Sequence, residues 1–413
     1  MNANQHISLH CMYTIRCINK KEYWLVTKTY ITQAKRTPIG KLGGHLSSYS
    51  AEQLGRISTK TVINAANLST DQIDQVIFGN AIQAGNGQNV ARQIEINSGI
   101  PNTKTAFTVN QVCGSGLKAI HQAHSAIQLN EANNIIAGGT ESMSNVPFYN
   151  KHVRSGNKFG SVVLEDGLNR DGLNDSFSGL PMGMTAENIA ERFQVSREEQ
   201  DEFALNSHLK AQQAVNNHYF NREIIPIGPK DKPITQDQGI RFDTSLEKLS
   251  SLNPVFKENG TVTAGNAAAL NDGASALLIS SEQSVAENRL TPLAEIIDYT
   301  EVGIDPQIMG YAPYHAISTL MDKLHMNVSD IDLFEINEAF ASQAYAVSRD
   351  LHIPDIKLNI SGGALALGHP LGDSGARIVT TLINNLIRTE KTYGIASLCM
   401  GGGMGAAIAI KIV

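Results

Sequence analysis

Three segments of this chain recur in the same order after an interval of about 258 residues, and no other pattern constrains the fold as much. DQIDQVIFGNA (71–81) resembles SDIDLFEINEA (329–339), with Ile73–Asp74 matching Ile331–Asp332. GSGLKAI (114–120) echoes DSGARIV (373–379), a Ser-Gly pair opening a helix each time. NIIAGGTESMS (134–144) echoes YGIASLCMGGG (393–403), a strand that enters a glycine-rich turn. Repeats this long are duplicated domains and not stacked solenoid units. Strands alternating with helices imply a mostly parallel sheet with helices on its faces. The expected fold is therefore α/β, with two βαβαβ halves facing each other and their strand ends meeting at a shared crevice.

The N-terminal half is expected over residues 28–146 plus 262–290, and the C-terminal half over 291–413. Residues 147–261 have another texture. KHVRSGNKFG is basic and glycine-bearing, while MTAENIAERF and SREEQDEFALNSHLKAQQAV read as amphipathic helices. Ser196 with Glu199 forms a capping box for the second of these, as Ser50 with Gln53 does for a helix to about Ala66. An inserted, mostly helical domain is expected here. Residues 1–27 have no apolar core segment and only one Arg and one Ser, which fits neither a secretory signal nor a transit peptide. They are expected to form a disordered extension, with Leu25 or Val26 as alternative starts.

Composition removes several function classes. A net charge of −6 gives no general basic footprint for nucleic acid. No apolar run approaches the roughly 18 residues of a membrane span. The four cysteines, Cys11, Cys17, Cys113 and Cys399, lack zinc-ligand spacing, and a chain this large needs no disulfide framework. Reduced thiols and a cytoplasmic location are expected, with no metal.

Four clusters carry chemistry. Cys113 closes the apolar strand AFTVNQV and precedes GSGL, so the N-terminus of the following helix is expected to favour its thiolate. Taken alone, a buried cysteine is more often a core residue. His369 lies in SGGALALGHPLGDSGARI, among five glycines, and only it in that stretch can act as a base near neutrality. Cys399 ends a strand before Gly401–Gly403. Asn337 and Glu338 end another strand, where the bland role for Asn337 is a helix N-cap.

These clusters fall at matched strand ends of the two repeats. VNQVCGSGLKA, GGTESMS, NEAFASQ, GGALALGHPLG and CMGGGMG together resemble the thiolase family across residues 28–413. The resemblance implies a five-layered α-β-α-β-α core and an acyltransferase that uses coenzyme A as substrate and product, without a further cofactor. It implies that Cys113 accepts the acyl group, His369 takes its proton and later polarises a thioester oxygen, and Cys399 shuttles the α-carbon proton. Asn337 would hold a water that completes one oxyanion hole with His369, and the N–H groups of Cys113 and Gly401 would form the other. Glu338 would orient its neighbours. CoA would lie against the inserted domain, at Leu173, Met182, Arg241, Lys248, Leu270, Ala339 and Phe340.

Three departures bear on the substrate. Pro181 precedes Met182 where short-chain members often carry His, Ala268 stands where a serine commonly contacts pantetheine, and Asp373 replaces a small apolar residue. The segment HVRSGNKFG…DGLND resembles the acetyl-transferring branch. The favoured expectation is acetyl-CoA C-acetyltransferase, joining two acetyl-CoA into acetoacetyl-CoA and CoA, in a homotetramer rather than a dimer. The alternative is a degradative 3-ketoacyl-CoA thiolase of broader chain length. A cysteine hydrolase using Cys113, His369 and Asn337 would not need Cys399. A non-catalytic CoA-binding scaffold would not need all four residues.

Overall fold

The computed structural model describes residues 27–413, so the expectation for the N-terminal extension falls outside it except at Thr27. Nine strands carry the main sheet: β1 (Thr29–Arg36), β2 (Gln75–Gly79), β3 (Thr105–Val109), β4 (Asn134–Ser142), β5 (Asn271–Ser281), β6 (Ala294–Gly303), β7 (Leu333–Ile336), β8 (Tyr393–Met400) and β9 (Met404–Ile412). Their order is β7-β8-β9-β6-β1-β5-β4-β2-β3, and a two-residue strand, Gly40–Lys41, pairs with β5. The repeat is legible in the pairing. β2 runs parallel to β4, which is antiparallel to β5; β7 runs parallel to β8, which is antiparallel to β9. Within the sheet, the strands of the two halves pair where Tyr30–Ile31 of β1 meets Ala294–Glu295 of β6.

Among the described residues, the eight longer α-helices complete the frame: α1 (Ala51–Ala66), α2 (Val90–Asn97), α3 (Ser115–Gln128), α4 (Met182–Arg192), α5 (Arg197–Asn216), α6 (Ala312–Leu324), α7 (Ala341–Asp350) and α8 (Ser374–Arg388). The Ser50–Gln53 and Ser196–Glu199 capping boxes both form, starting α1 and α5. The α1 helix stops where Asn67 turns left-handed, at φ 54°. Helices α1 and α2 cover the outer face of the N-terminal strands, and α6 covers the outer face of the C-terminal ones. Between the two halves of the sheet lie α3 and α8, with α8 touching strands of both. That arrangement is the five-layered α-β-α-β-α core.

The central crossing explains the shared Ser-Gly of the repeats. A Cβ on Gly116 would stand 2.8 Å from the Ala376 nitrogen, and one on Gly375 would collide with the Leu117 backbone. Only glycine lets the two helices approach this closely. Residues Ser374 to Leu386 of α8 are buried without a break, as expected of a helix enclosed on all sides. The N-terminal ends of α3 and α8 therefore come together, and the chemistry gathers there. Residues 143–270 contribute none of the nine strands; they supply α4, α5 and a single π-helical turn, Asn169–Leu173.

Candidate active site

Cys113 is presented by a strained turn, not by a strand end. β3 stops at Val109, and the chain turns through Gln111 and Val112 before α3 begins. Val112 has φ 51°, a left-handed conformation that is costly for a β-branched residue. Side chains hold the turn in place. Asn110 Oδ1 accepts the Val112 N–H at 3.0 Å, Ser115 Oγ accepts the Gln111 N–H at 2.9 Å, and the same hydroxyl donates to the Val112 carbonyl at 2.6 Å. A Cβ at Gly114 would press on the Met400 side chain at Sδ, so glycine lets Met400 pack against the turn.

Burial pushes the Cys113 thiol up to about 12, against the backbone N–H groups of Gly401 and Cys113, which favour its thiolate. The expected helix-terminus effect is present, and burial overrides it. The resting thiol keeps its proton because desolvation of the anion costs more than two N–H groups return. Attack by Cys113 accordingly needs a base.

His369 sits in a turn made possible by Gly368, at φ 117°, where a Cβ would overlap the Asn271 amide. The His369 N–H donates to Asn271 Oδ1 at 3.0 Å, and Asn271 Nδ2 donates to the Gly40 carbonyl at 2.8 Å. Nδ1 of the ring lies 2.6 Å from Ser374 Oγ and 3.4 Å from Asn337 Nδ2. Nε2 is buried and has no protein partner. Burial, then the positive charge of Arg377, lowers the imidazole to about 3, so the ring is neutral and can accept a proton.

Asn337 is fully buried behind this ring. It follows β7, donates its N–H to the Ser397 carbonyl at 2.9 Å, and does not cap α7, whose N-cap is Phe340. Arg377 faces it, with Nη2 3.5 Å from Asn337 Oδ1, and is paired to Glu335 at 2.7 Å. Glu338 accepts from Ser207 Oγ at 2.6 Å, Asn359 Nδ2 at 2.7 Å and the Leu365 N–H at 3.2 Å. It thereby ties α5 to the glycine-rich loop that carries His369. Cys399 is buried among Met309, Ala339, Met182 and Phe340. Burial, and then the neighbouring Cys113, raise its thiol.

One apolar cavity of about 70 Å³ collects most of the residues that the sequence singled out. Cys113, His369 and Gly401 meet Leu173, Met182, Ala268, Leu270, Ala339 and Phe340 in its wall. Asn337 and Cys399 stand outside that wall. Arg241 and Lys248 are also outside it. Arg241 reaches the Ala264 carbonyl at 3.4 Å, and Lys248 is exposed and paired with Asp243 at 2.7 Å. Ser374, Asn271, Arg377 and the backbone of Val112 were not singled out by sequence reasoning. Only Ser374 carried a signal, through its place in the repeated Ser-Gly.

This geometry has close counterparts. Residues 29–283 match the thiolase N-terminal domain and residues 290–412 the thiolase C-terminal domain. A probable acetyl-CoA acyltransferase of Staphylococcus aureus (strain COL) is 46% identical over 391 residues, spanning 94% of this chain and 99% of that protein. Human mitochondrial 3-ketoacyl-CoA thiolase superposes with a TM-score of 0.92 at 43% identity, covering 94% of this chain and 100% of the other. The Bacillus anthracis acetyl-CoA acetyltransferase does so with a TM-score of 0.91 at 39% identity, covering 94% and 99%. The chain belongs to the thiolase family of acyltransferases.

Proposed function

We propose that this enzyme is an acetyl-CoA C-acetyltransferase, joining two acetyl-CoA molecules reversibly through an acetyl group on Cys113. The observation that carries this reading is the small, partly open apolar cavity at Cys113. Its volume of about 70 Å³ is small and its walls are apolar, which suits a short acyl group. The apolar walls suit the arm of a CoA thioester, and a human mitochondrial 3-ketoacyl-CoA thiolase in complex with CoA superposes with a TM-score of 0.91.

In this reading His369 Nε2 takes the Cys113 proton as the sulfur attacks the first thioester carbonyl. The N–H groups of Cys113 and Gly401 receive the oxyanion, where fixed donors are worth most. Cys399 gives its proton to the departing CoA sulfur and is left as a thiolate. The second acetyl-CoA then loses an α-proton to Cys399, while protonated His369 donates to the enolate oxygen. The enolate carbon attacks the acetyl group on Cys113, acetoacetyl-CoA forms, and His369 returns the proton to Cys113. Every proton is accounted for by these three residues, so the reaction calls for no bound cofactor. A cytoplasmic setting agrees with two thiols that must stay reduced. Exposed apolar side chains between Phe148 and Leu164, Phe159 among them, favour a homotetramer.

A second reading, a 3-ketoacyl-CoA thiolase of greater chain length, draws on Pro181 at the N-cap of α4 and on the likeness to the human enzyme of that name. Thiolysis rates with acetoacetyl-CoA against longer 3-ketoacyl-CoA substrates separate the two. The proposal expects kcat/KM to be highest for acetoacetyl-CoA, and a preference for six or more acyl carbons would favour the second reading.

A further inference from the structure

His369 can take a proton from Cys113 only if the ring nitrogen on the cavity side carries a lone pair. A neutral imidazole has one N–H and one lone pair, and the bond made by one nitrogen fixes the state of the other. Nδ1 contacts Ser374 Oγ at 2.6 Å, and that hydroxyl also lies 2.9 Å from the Pro370 carbonyl oxygen. Two arrangements fit these distances. In one, the hydroxyl hydrogen goes to Pro370 and Nδ1–H donates to Oγ. In the other, the hydroxyl donates to Nδ1 and the ring hydrogen moves to Nε2.

Burial decides between them. Nε2 has no protein partner, and it faces a cavity with apolar walls. A buried N–H without an acceptor is rarer in proteins than an acceptor with a spare lone pair. The Pro370 carbonyl already takes the Asp373 and Ser374 N–H groups at 3.0 Å each, and the hydroxyl adds a third donor to the same helix start. The Asn337 amide nitrogen, 3.4 Å from Nδ1, is too distant to compete.

We infer that Ser374 is a positioning residue whose hydroxyl, turned onto the Pro370 carbonyl, holds His369 with its hydrogen on Nδ1 and its lone pair on Nε2. The inference rests on the base role given to His369 above. When Nε2 takes the Cys113 proton, the Nδ1–H to Ser374 bond is retained and only the cavity-facing nitrogen changes state. Ser374 is the first residue of α8, next to Gly375 where that helix packs on α3. The helix crossing thus sets the base and the Cys113 turn in one frame.

Nitrogen-15 labelling of histidine in the wild-type enzyme, with His369→Asn to assign the signals, reads the tautomer directly. A protonated Nδ1 with a bare Nε2 near neutral pH is expected. Ser374→Ala should lose that bias and acetylate Cys113 at least roughly tenfold more slowly, a modest share of what a positioned base supplies. The KM for acetyl-CoA should barely change, and Ser374→Thr should restore the rate. A protonated Nε2 in the wild type, or Ser374→Ala acetylating at the wild-type rate, would overturn the inference. The tautomer is read without substrate. A wild-type enzyme with the expected tautomer that never acetylates Cys113 would count against the proposed function and leave the Ser374 placement standing.

Discussion

Asp373→Asn should stabilise the protein, and by more as the pH rises. Asp373 immediately precedes α8, is buried at 1% exposure, and lies beside the Ser275 hydroxyl and N–H. Burial raises its carboxyl from 3.8 to about 7, against the pull of Ser275, Arg36 and Arg377. Nearby Glu141 is itself raised to about 7 by burial, in part through Asp373. Glu141 accepts from the N–H groups of Ala81, Ile82 and Gly372 and from Asn80 Nδ2. Those donors suit an anion, so Asp373 is the member of the pair that keeps a proton. An acid whose folded pKa is raised contributes stability that is complete below its unfolded pKa and is lost as pH climbs through the folded value. At about 1.4 kcal/mol per tenfold change, the loss is on the order of 1–2 kcal/mol near pH 5 and about 4 kcal/mol near pH 8. Asparagine imitates the protonated acid and cannot ionise. The stability difference between variant and wild type should therefore widen by about 2–3 kcal/mol over that range. Urea denaturation at one fixed protein concentration, repeated across the pH series, measures it. A difference that is the same near pH 5 and near pH 8 would refute the buried, protonated Asp373.

Two further substitutions test the site's construction. Cys399→Ala should still form the Cys113 acyl-enzyme in a single-turnover experiment but lose acetoacetyl-CoA synthesis, and near wild-type synthesis would remove Cys399 from proton transfer. A Cβ at Gly363 would collide with the Glu338 carboxylate. Gly363→Ala should therefore cost about 1–3 kcal/mol in denaturation and lower kcat by displacing the His369 loop; unchanged melting and turnover would show that the loop yields freely.

The duplication was legible because its strands and central helices carry paired sequence signals. Ile73–Asp74 and Ile331–Asp332 lead into β2 and β7, and the two Ser-Gly pairs open α3 and α8. Capping boxes at Ser50 and Ser196 were legible because they are local. The N–H groups that favour the Cys113 thiolate were legible as a helix terminus, whereas the surroundings that bury the sulfur and oppose it come from distant segments. The left-handed Val112 was invisible for a related reason: a β-branched residue advertises a strand, and only the bonds from Asn110 and Ser115 hold it otherwise. Arg377 and Glu335 stand 42 positions apart, and the three partners of Glu338 come from α5 and the glycine-rich loop. No periodicity marks such pairs. Arg241 and Lys248 were named from resemblance, and their surroundings tie them to Ala264 and Asp243.

The central claim is that Cys113, deprotonated by His369, carries the acyl group. Brief mixing of the wild-type enzyme and a His369→Asn variant with acetyl-CoA, followed by acid quench and peptide mass spectrometry, tests it most directly. One acetyl group on the Cys113 peptide of the wild type is predicted, with the variant labelled at least about a hundredfold more slowly. Acetyl on Cys399 with Cys113 bare, or equal labelling rates in the two proteins, would contradict it.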